Sequence, residues 1–376
     1  MLIKKEKILL LGLLLIGSLH TVTSQEQEAA VQKSIDKHAE SLLKNKQINS
    51  VSIGIYKDGE VYTSHFGTLV KGKEVPPTNS SIYEIASVTK TMTGYLVAQA
   101  VLDKKIKLED DIRIYLGNEY PNLEYNGTPI TIKNLITHTS GLPKFLPTSL
   151  NGIFETFSET VPFDYNKLEK AFTKDHFLES LKEVSLNETP GINYNYSNAG
   201  AEVVGFILEK VYGQDIDTLY KRYLTGSIEM NKTSIKVAES NLPDRVQGYW
   251  MKNNHTSPNQ LNTFWATGSG MSSTLSDLMR YIELQLSPEN PAVNLSHEVL
   301  YQQGKTFKVG YFWRVWQDKY GTSYNHHGGT SGMQNWIFIY PKHNLGISIL
   351  TNHSGPKTPN KLSKVVRNLL KDLVKT

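Results

Sequence analysis

A serine followed three residues later by a lysine puts a hydroxyl and an amine on one side of a helix. An amine that has lost its proton can then take the proton of the hydroxyl and make it a nucleophile. The sequence holds four such pairs: Ser34/Lys37, Ser41/Lys44, Ser87/Lys90 and Ser354/Lys357. Their surroundings separate them. The first two lie on a polar, amphipathic segment where a lysine is a solvated face residue, and the last lies in a Gly/Pro turn near the chain's end. Only Ser87 opens an apolar segment, Ile85 to Leu102. Poor solvation there disfavours the ammonium and lowers the pKa of Lys90, and a helix start leaves backbone N–H groups near the hydroxyl. The same local pattern also describes an N-cap serine with a snorkelling lysine.

Two further segments carry suitable groups. Tyr196 and Asn198 follow the Pro190-Gly191 turn and precede an apolar helix. A phenol beside a cationic amine can be depressed in pKa and relay a proton, and the Asn198 amide can orient Lys90 or a substrate carbonyl. The alternative for Tyr196 is a packed aromatic. Asn325-His326-His327-Gly328-Gly329 precedes a strand. Adjacent strand residues point to opposite faces, so the two histidines do not chelate together, and no His-Glu-x-x-His occurs. The expectation is a sheet-edge position at which one histidine meets substrate. The glycines there allow close backbone approach, and an N–H near Gly329 pairs with that of Ser87 as an oxyanion hole. No Gly-x-Ser-x-Gly and no phosphate-binding glycine loop is present.

The elements that position these groups follow from periodicity. Gln27 to Lys44 reads as an amphipathic helix, and Val51–Tyr56 with Glu60–Phe66 around Lys57-Asp58-Gly59 reads as a hairpin. Ile85–Leu102 is a buried helix and Ala199–Val211 a second, closed near Gly213. Residues 144–185 are helical or irregular. A helix starts around Ser273 to Asp277. Lys308–Trp316, Gln334–Tyr340 and Leu345–Thr351 read as strands, and Lys361–Val374 as a closing helix. This order fits an α+β fold: an antiparallel sheet built from both chain ends, flanked by helices, with a large helical insertion over roughly 91–265.

Composition bounds the rest. The chain has 376 residues, 39% hydrophobic, enough for a substantial core. A net charge of +4, without charge blocks, does not suit nucleic acid. Zero cysteines exclude disulfides, thiolate metal sites and cysteine nucleophiles. Residues 1–24 have Lys4, Lys5 and Lys7, then an apolar run from Ile8 to Leu19, then Val22-Thr23-Ser24, the pattern of a signal peptide. The run is shorter than the roughly 20 residues a span needs. Residues 25–376 are therefore expected to form one exported domain, periplasmic or secreted. It would have no stable membrane span after signal removal; an uncleaved anchor is the alternative.

Taken together, these stretches resemble the serine β-lactamase and penicillin-binding-protein superfamily, in its class C-like branch. The resembling segments are Ile85 to Thr91, Leu135 to Pro143, Pro190-Gly191 with Tyr196-Ser197-Asn198, Thr267 to Met271, and His326 to Gly332. The resemblance implies a β-lactamase/transpeptidase-like fold and an acyl-enzyme route. In it Ser87 attacks a carbonyl, Lys90 and Tyr196 manage protons, and the N–H groups of Ser87 and Gly329 hold the oxyanion. It implies a small-molecule, peptide or ester substrate, no cofactor and no metal. His326, His327 and Gly328 stand where class C β-lactamases carry Lys-Thr-Gly. A histidine is charged only in part near neutral pH. The resemblance therefore leaves three readings: a peptidase or esterase, a β-lactamase, and a catalytically silent binding or sensing protein.

Overall fold

The computed structural model describes residues 26–153, 158–251, 255–260 and 263–374. The expected signal segment, 1–24, lies outside them. Ser50–Lys57 (β1) and Glu60–Gly67 (β2) pair across a two-residue turn. Asp58 and Gly59 both take left-handed backbone, φ 54° and 96°, as a type I′ hairpin turn requires. The remaining strands of the main sheet come from the other end of the chain. They are Tyr301–Gln303 (β3), Phe307–Gly310 (β4), Trp313–Asp318 (β5), Gly321–Gly329 (β6), Gln334–Tyr340 (β7) and Leu345–Thr351 (β8). The sheet order is β2-β1-β8-β7-β6-β5-β4-β3, antiparallel throughout. The first and last strands are neighbours, with Ile53 opposite Ile349. The sheet is thus built from both chain ends.

Both faces of this sheet are covered, so β7 and β8 are buried at every position. Along β7 the side chains alternate. Trp336, Phe338 and Tyr340 pack with Val31, Ile35, Val366 and Leu369, on the face covered by helix α1 (26–43) and helix α5 (Thr358–Leu373). Ile337 and Ile339 join the larger cluster on the opposite face, which includes helix α2 (Thr89–Leu102) and helix α4 (Leu275–Gln285). Every side chain of α2 from Thr89 to Ala98 is buried, as its apolar circumference predicts. Helix α3 (Asn198–Tyr212) packs on the same cluster and ends at Gly213. The α4 helix begins at Leu275, where the Thr274 side chain accepts from the Asp277 N–H. The stretch 144–185 contains the helices Ser149–Ile153, Val161–Lys170 and Lys174–Lys182.

One strand expectation is corrected. Lys308–Trp316 is not a single strand, because the chain reverses at Tyr311-Phe312 and Gly310 pairs with Trp313. Both turn residues have positive φ, 46° and 67°. Bulky residues rarely adopt this backbone. Here tertiary contacts hold it: both side chains are buried, the Phe312 N–H donates to the Ile136 carbonyl at 2.8 Å, and the Phe312 ring packs 5.2 Å from that of His138. Apolar β-type composition marked the strands on either side but not this reversal.

Candidate active site

Ser87 sits in a short 3-10 turn, Ala86–Val88, between the strand Ile82–Glu84 and α2. Its side chain faces a cavity of about 400 Å³, which Tyr196, Asn198, Arg314, His327 and Gly329 also line. Lys90, one turn on, is fully buried. Its Nζ donates to Asn198 Oδ1 at 2.6 Å and to the Gly268 carbonyl at 2.5 Å, and lies 3.4 Å from Ser87 Oγ. These contacts define the amine's chemistry. An ammonium has three hydrogens for three acceptors. Once neutral, it must keep its two hydrogens on Asn198 Oδ1 and the Gly268 carbonyl, which cannot donate, so its lone pair is left for the Ser87 hydroxyl. Burial lowers the Lys90 pKa to about 7; Glu202 acts against this and Arg314 with it.

Helix α3 brings in Tyr196 and Asn198. Ser197 caps it, accepting from the Gly200 N–H at 2.8 Å and donating to the Pro143 carbonyl at 2.7 Å. The segment His138–Pro143 clamps this motif. The His138 carbonyl accepts from the Asn195 N–H at 2.7 Å, and its Nδ1 accepts from the Ser197 N–H at 3.2 Å. The His138 ring packs against that of Tyr196, centroids 4.3 Å apart and planes tilted by 36°. Tyr196 is hydrogen bonded to Ser87, and Lys90 Nζ lies 4.9 Å above its ring. The expected depression of the phenol is overturned. Burial raises the Tyr196 pKa, and the Ser87 hydrogen bond and the Arg314 and Lys144 charges offset this only in part. Tyr196 is therefore a neutral phenol near pH 7, a donor and relay.

Strand β6 supplies the third side. In sheet order it is an interior strand, not an edge. Its pairing with β5, however, stops at Asn325 opposite Arg314, while His326 to Gly329 pair only with β7. These last four residues have one flank free of a ladder. A Cβ on residue 328 would lie 2.1 Å from the Ile85 carbonyl oxygen, so Gly328 is what lets the strand press against the segment leading to Ser87.

The two histidines part company. His326 is buried; its Nδ1 donates to the His327 carbonyl at 2.8 Å, and its Nε2 has no hydrogen-bond partner among the described residues. Its ring is 6.4 Å from that of Tyr196. His327 turns to the other face, where its Nε2 donates to Gln334 Oε1 at 2.5 Å. Of the pair, His327 lines the cavity. Burial holds His326 well below its usual range and His327 at about 4. The partial charge expected near neutral pH is thus absent from both.

Sequence reasoning missed Arg314 and Glu202. Arg314 lines the cavity with its guanidinium 5.9 Å from the Tyr196 ring. It is a permanent cation, and its one sequence signal is a lone charge in an apolar, aromatic run. Glu202 is fully buried on α3 and does not line this cavity, and its pKa is pushed up to about 7, chiefly by burial. Nothing in its spacing from the other motifs marks it.

An α/β sandwich with a half-neutral lysine held against a serine hydroxyl has the architecture of a serine hydrolase. The beta-lactamase family model matches residues 35–371, and the chain belongs to that family. Protein flp of Staphylococcus aureus strain N315 is 26% identical over 358 residues, an alignment covering 91% of this chain and 66% of the relative. This chain thus spans just under two thirds of that protein's length. The D-alanyl-D-alanine-carboxypeptidase/endopeptidase AmpH of Escherichia coli K12 is 24% identical over 379 residues, covering 95% of this chain and 93% of the relative. Among solved structures, a beta-lactamase/D-alanine carboxypeptidase from Yersinia pestis, complexed with citrate, matches with a TM-score of 0.79 at 22% identity, over 92% of this chain and 99% of that one. A class C beta-lactamase matches with a TM-score of 0.78 at 19% identity, over 93% and 98%. These two likenesses establish the shared fold.

Proposed function

We propose that this protein is an exported acyl-transfer hydrolase of the peptidase type, acting on amides or esters that carry a carboxylate near the scissile bond. The observation that carries the acyl-enzyme reading is the hydrogen-bond set of Lys90, which leaves one lone pair for Ser87. Ser87 Oγ attacks the acyl carbonyl while its proton passes to Lys90 Nζ, directly or through the Tyr196 hydroxyl. Backbone N–H groups of Ser87 and Gly329 receive the developing oxyanion. The proton then moves through Tyr196 to the leaving amine or alkoxide as its bond to the carbonyl breaks. Water releases the acyl group by the reverse relay.

The carboxylate preference rests on Arg314. With both histidines held neutral, Arg314 is a permanent cation of the cavity wall, and its fork matches a carboxylate. A β-lactam also carries a carboxylate, so turnover of β-lactams is the second reading that this same residue favours. The activities in the names of the carboxypeptidase relatives support the first. Export is inferred from the basic-then-apolar pattern of residues 1–24. Among the described residues, no helix is long and apolar enough to cross a membrane.

The test is a panel of a D-alanyl-D-alanine peptide, a short acyl ester and a chromogenic cephalosporin, run with wild type and Ser87→Ala. Peptide release lost in the variant supports the proposal. Rapid cephalosporin turnover without peptide release supports the second reading. Activity that survives Ser87→Ala refutes both.

A further inference from the structure

Glu202 lies one turn beyond Asn198 on α3 and is enclosed with Lys90, yet the two meet through a third residue. Glu202 Oε1 accepts from the Gly268 N–H at 2.6 Å, and Oε2 accepts from the Thr267 N–H at 3.4 Å and lies 2.9 Å from Thr267 Oγ1, whose one hydrogen is shared with the Ala201 carbonyl at 2.9 Å. The Gly268 carbonyl is the acceptor that Lys90 Nζ reaches at 2.5 Å. Carboxylate and amine thus hold one residue by its two ends. A Cβ at position 268 would lie 2.7 Å from Glu202 Oε1, so a larger residue there would displace the carboxylate. Thr93 of α2 fixes the same segment by donating to the Thr267 carbonyl at 2.7 Å.

The charged and titratable groups around this pair are few. Lys90 is met by Tyr196 from the motif before α3, by Arg314 from β5, and by the neutral rings of His138 and His326. Glu202 is met by Lys90 and, among phenols, by Tyr165 and Tyr220. Glu202 is the carboxylate that favours a charged Lys90, while Arg314 opposes it.

We propose that Glu202 is a positioning residue for the acylating base: it clamps Gly268 against Lys90, and its charge decides how readily that amine holds a proton. This rests on the acyl-enzyme roles given above to Ser87 and Lys90. With one proton between them, the pair exists as ammonium and carboxylate or as neutral amine and carboxylic acid. Either form is neutral overall, which suits an interior that tolerates no unpaired charge. As the Ser87 O–H bond breaks and the Nζ–H bond forms, positive charge appears on Lys90. That charge is stabilised once Glu202 is a carboxylate across Gly268, the state the pair reaches when it loses its shared proton as pH rises.

The test is the rate of Ser87 labelling by a fluorophosphonate, followed by intact mass from pH 5 to 9, for wild type, Glu202→Gln and Thr267→Val. Glutamine keeps an acceptor for the Gly268 N–H but removes the charge, so Lys90 becomes neutral at lower pH. The acid limb of the profile is expected to move down by about one pH unit. Thr267→Val leaves Glu202 in place but removes a donor that favours its charged form, so the limb is expected to move the same way by less. If Glu202→Gln does not fold, Thr267→Val decides the matter. A limb that stays in place or moves up, with labelling confined to Ser87, overturns the role of Glu202 alone. Labelling that persists in Ser87→Ala overturns the acyl-enzyme reading on which it rests.

Discussion

Replacing Lys90 with methionine should abolish acylation and yet relieve the fold of an electrostatic load. Lys90 is completely buried, and its pKa falls from 10.5 to about 7 in the folded chain. The unfolded chain keeps the ordinary value. At pH 7 and below both states carry the proton, and the native state bears the full cost of burying an ammonium. At about 1.4 kcal/mol per unit, a drop of roughly 3.5 units corresponds to about 5 kcal/mol. Between about pH 7 and 10.5 the unfolded state binds more protons than the native state, so wild-type stability rises with pH in that window by about 1.4 kcal/mol per unit. Methionine removes this dependence. It also strands the Asn198 Oδ1 and Gly268 carbonyl acceptors, which costs about 1–3 kcal/mol each at every pH. The net sign at pH 7 is therefore close to balance, but the slope is not. The stability of Lys90→Met minus that of wild type should fall by about 2 to 3 kcal/mol between pH 8 and 10. Urea unfolding of both proteins at pH 8, 9 and 10 reads this directly, and the titrations of groups away from Lys90 cancel in the difference. A difference independent of pH would show that Lys90 keeps an ordinary pKa, and the case for it as a base would fall with it.

Other outcomes follow from the same geometry. Because Lys90 must be neutral to accept a proton, pre-steady-state acylation should rise with pH through about 7; a flat profile from pH 5.5 to 8.5 would contradict this. Arg314→Gln should lower kcat/KM for carboxylate-bearing substrates by about 10- to 100-fold, the worth of a charge-assisted hydrogen bond, and spare neutral esters. Equal losses on both would remove Arg314 from substrate recognition. Gly328→Ala should lower both the Tm and the rate of Ser87 labelling, since the added Cβ meets the Ile85 carbonyl at 2.1 Å. An unchanged rate would mean that the contact of β6 with this segment does not position Ser87. His138→Ala should lower kcat more than KM, because His138 holds the Tyr196 segment without lining the cavity. The reverse split would indicate direct substrate contact.

Much of this molecule was legible one segment at a time. The Asp58-Gly59 hairpin, the apolar helix behind Ser87, the Ser197-capped α3 and the strands β7 and β8 all follow from local rules. Turn residues, caps and hydrophobic period act within a few residues, so the sequence states them directly. The order of the motifs was equally plain, and it marked Ser87, Lys90, Tyr196 and Asn198 as a set. What no segment contains is the environment these residues make for one another. Whether Lys90 is a base depends on burial by α3 and the 267–268 segment, nearly 180 residues away in the chain. The Tyr196 phenol is raised, not depressed, because burial outweighs its neighbours' charges. The faces taken by His326 and His327, the reversal at Tyr311-Phe312, and the arrival of Arg314 and Glu202 at the site are likewise products of long-range packing. Proton affinity and close backbone approach are set by which groups meet in space, and only the tertiary structure decides that.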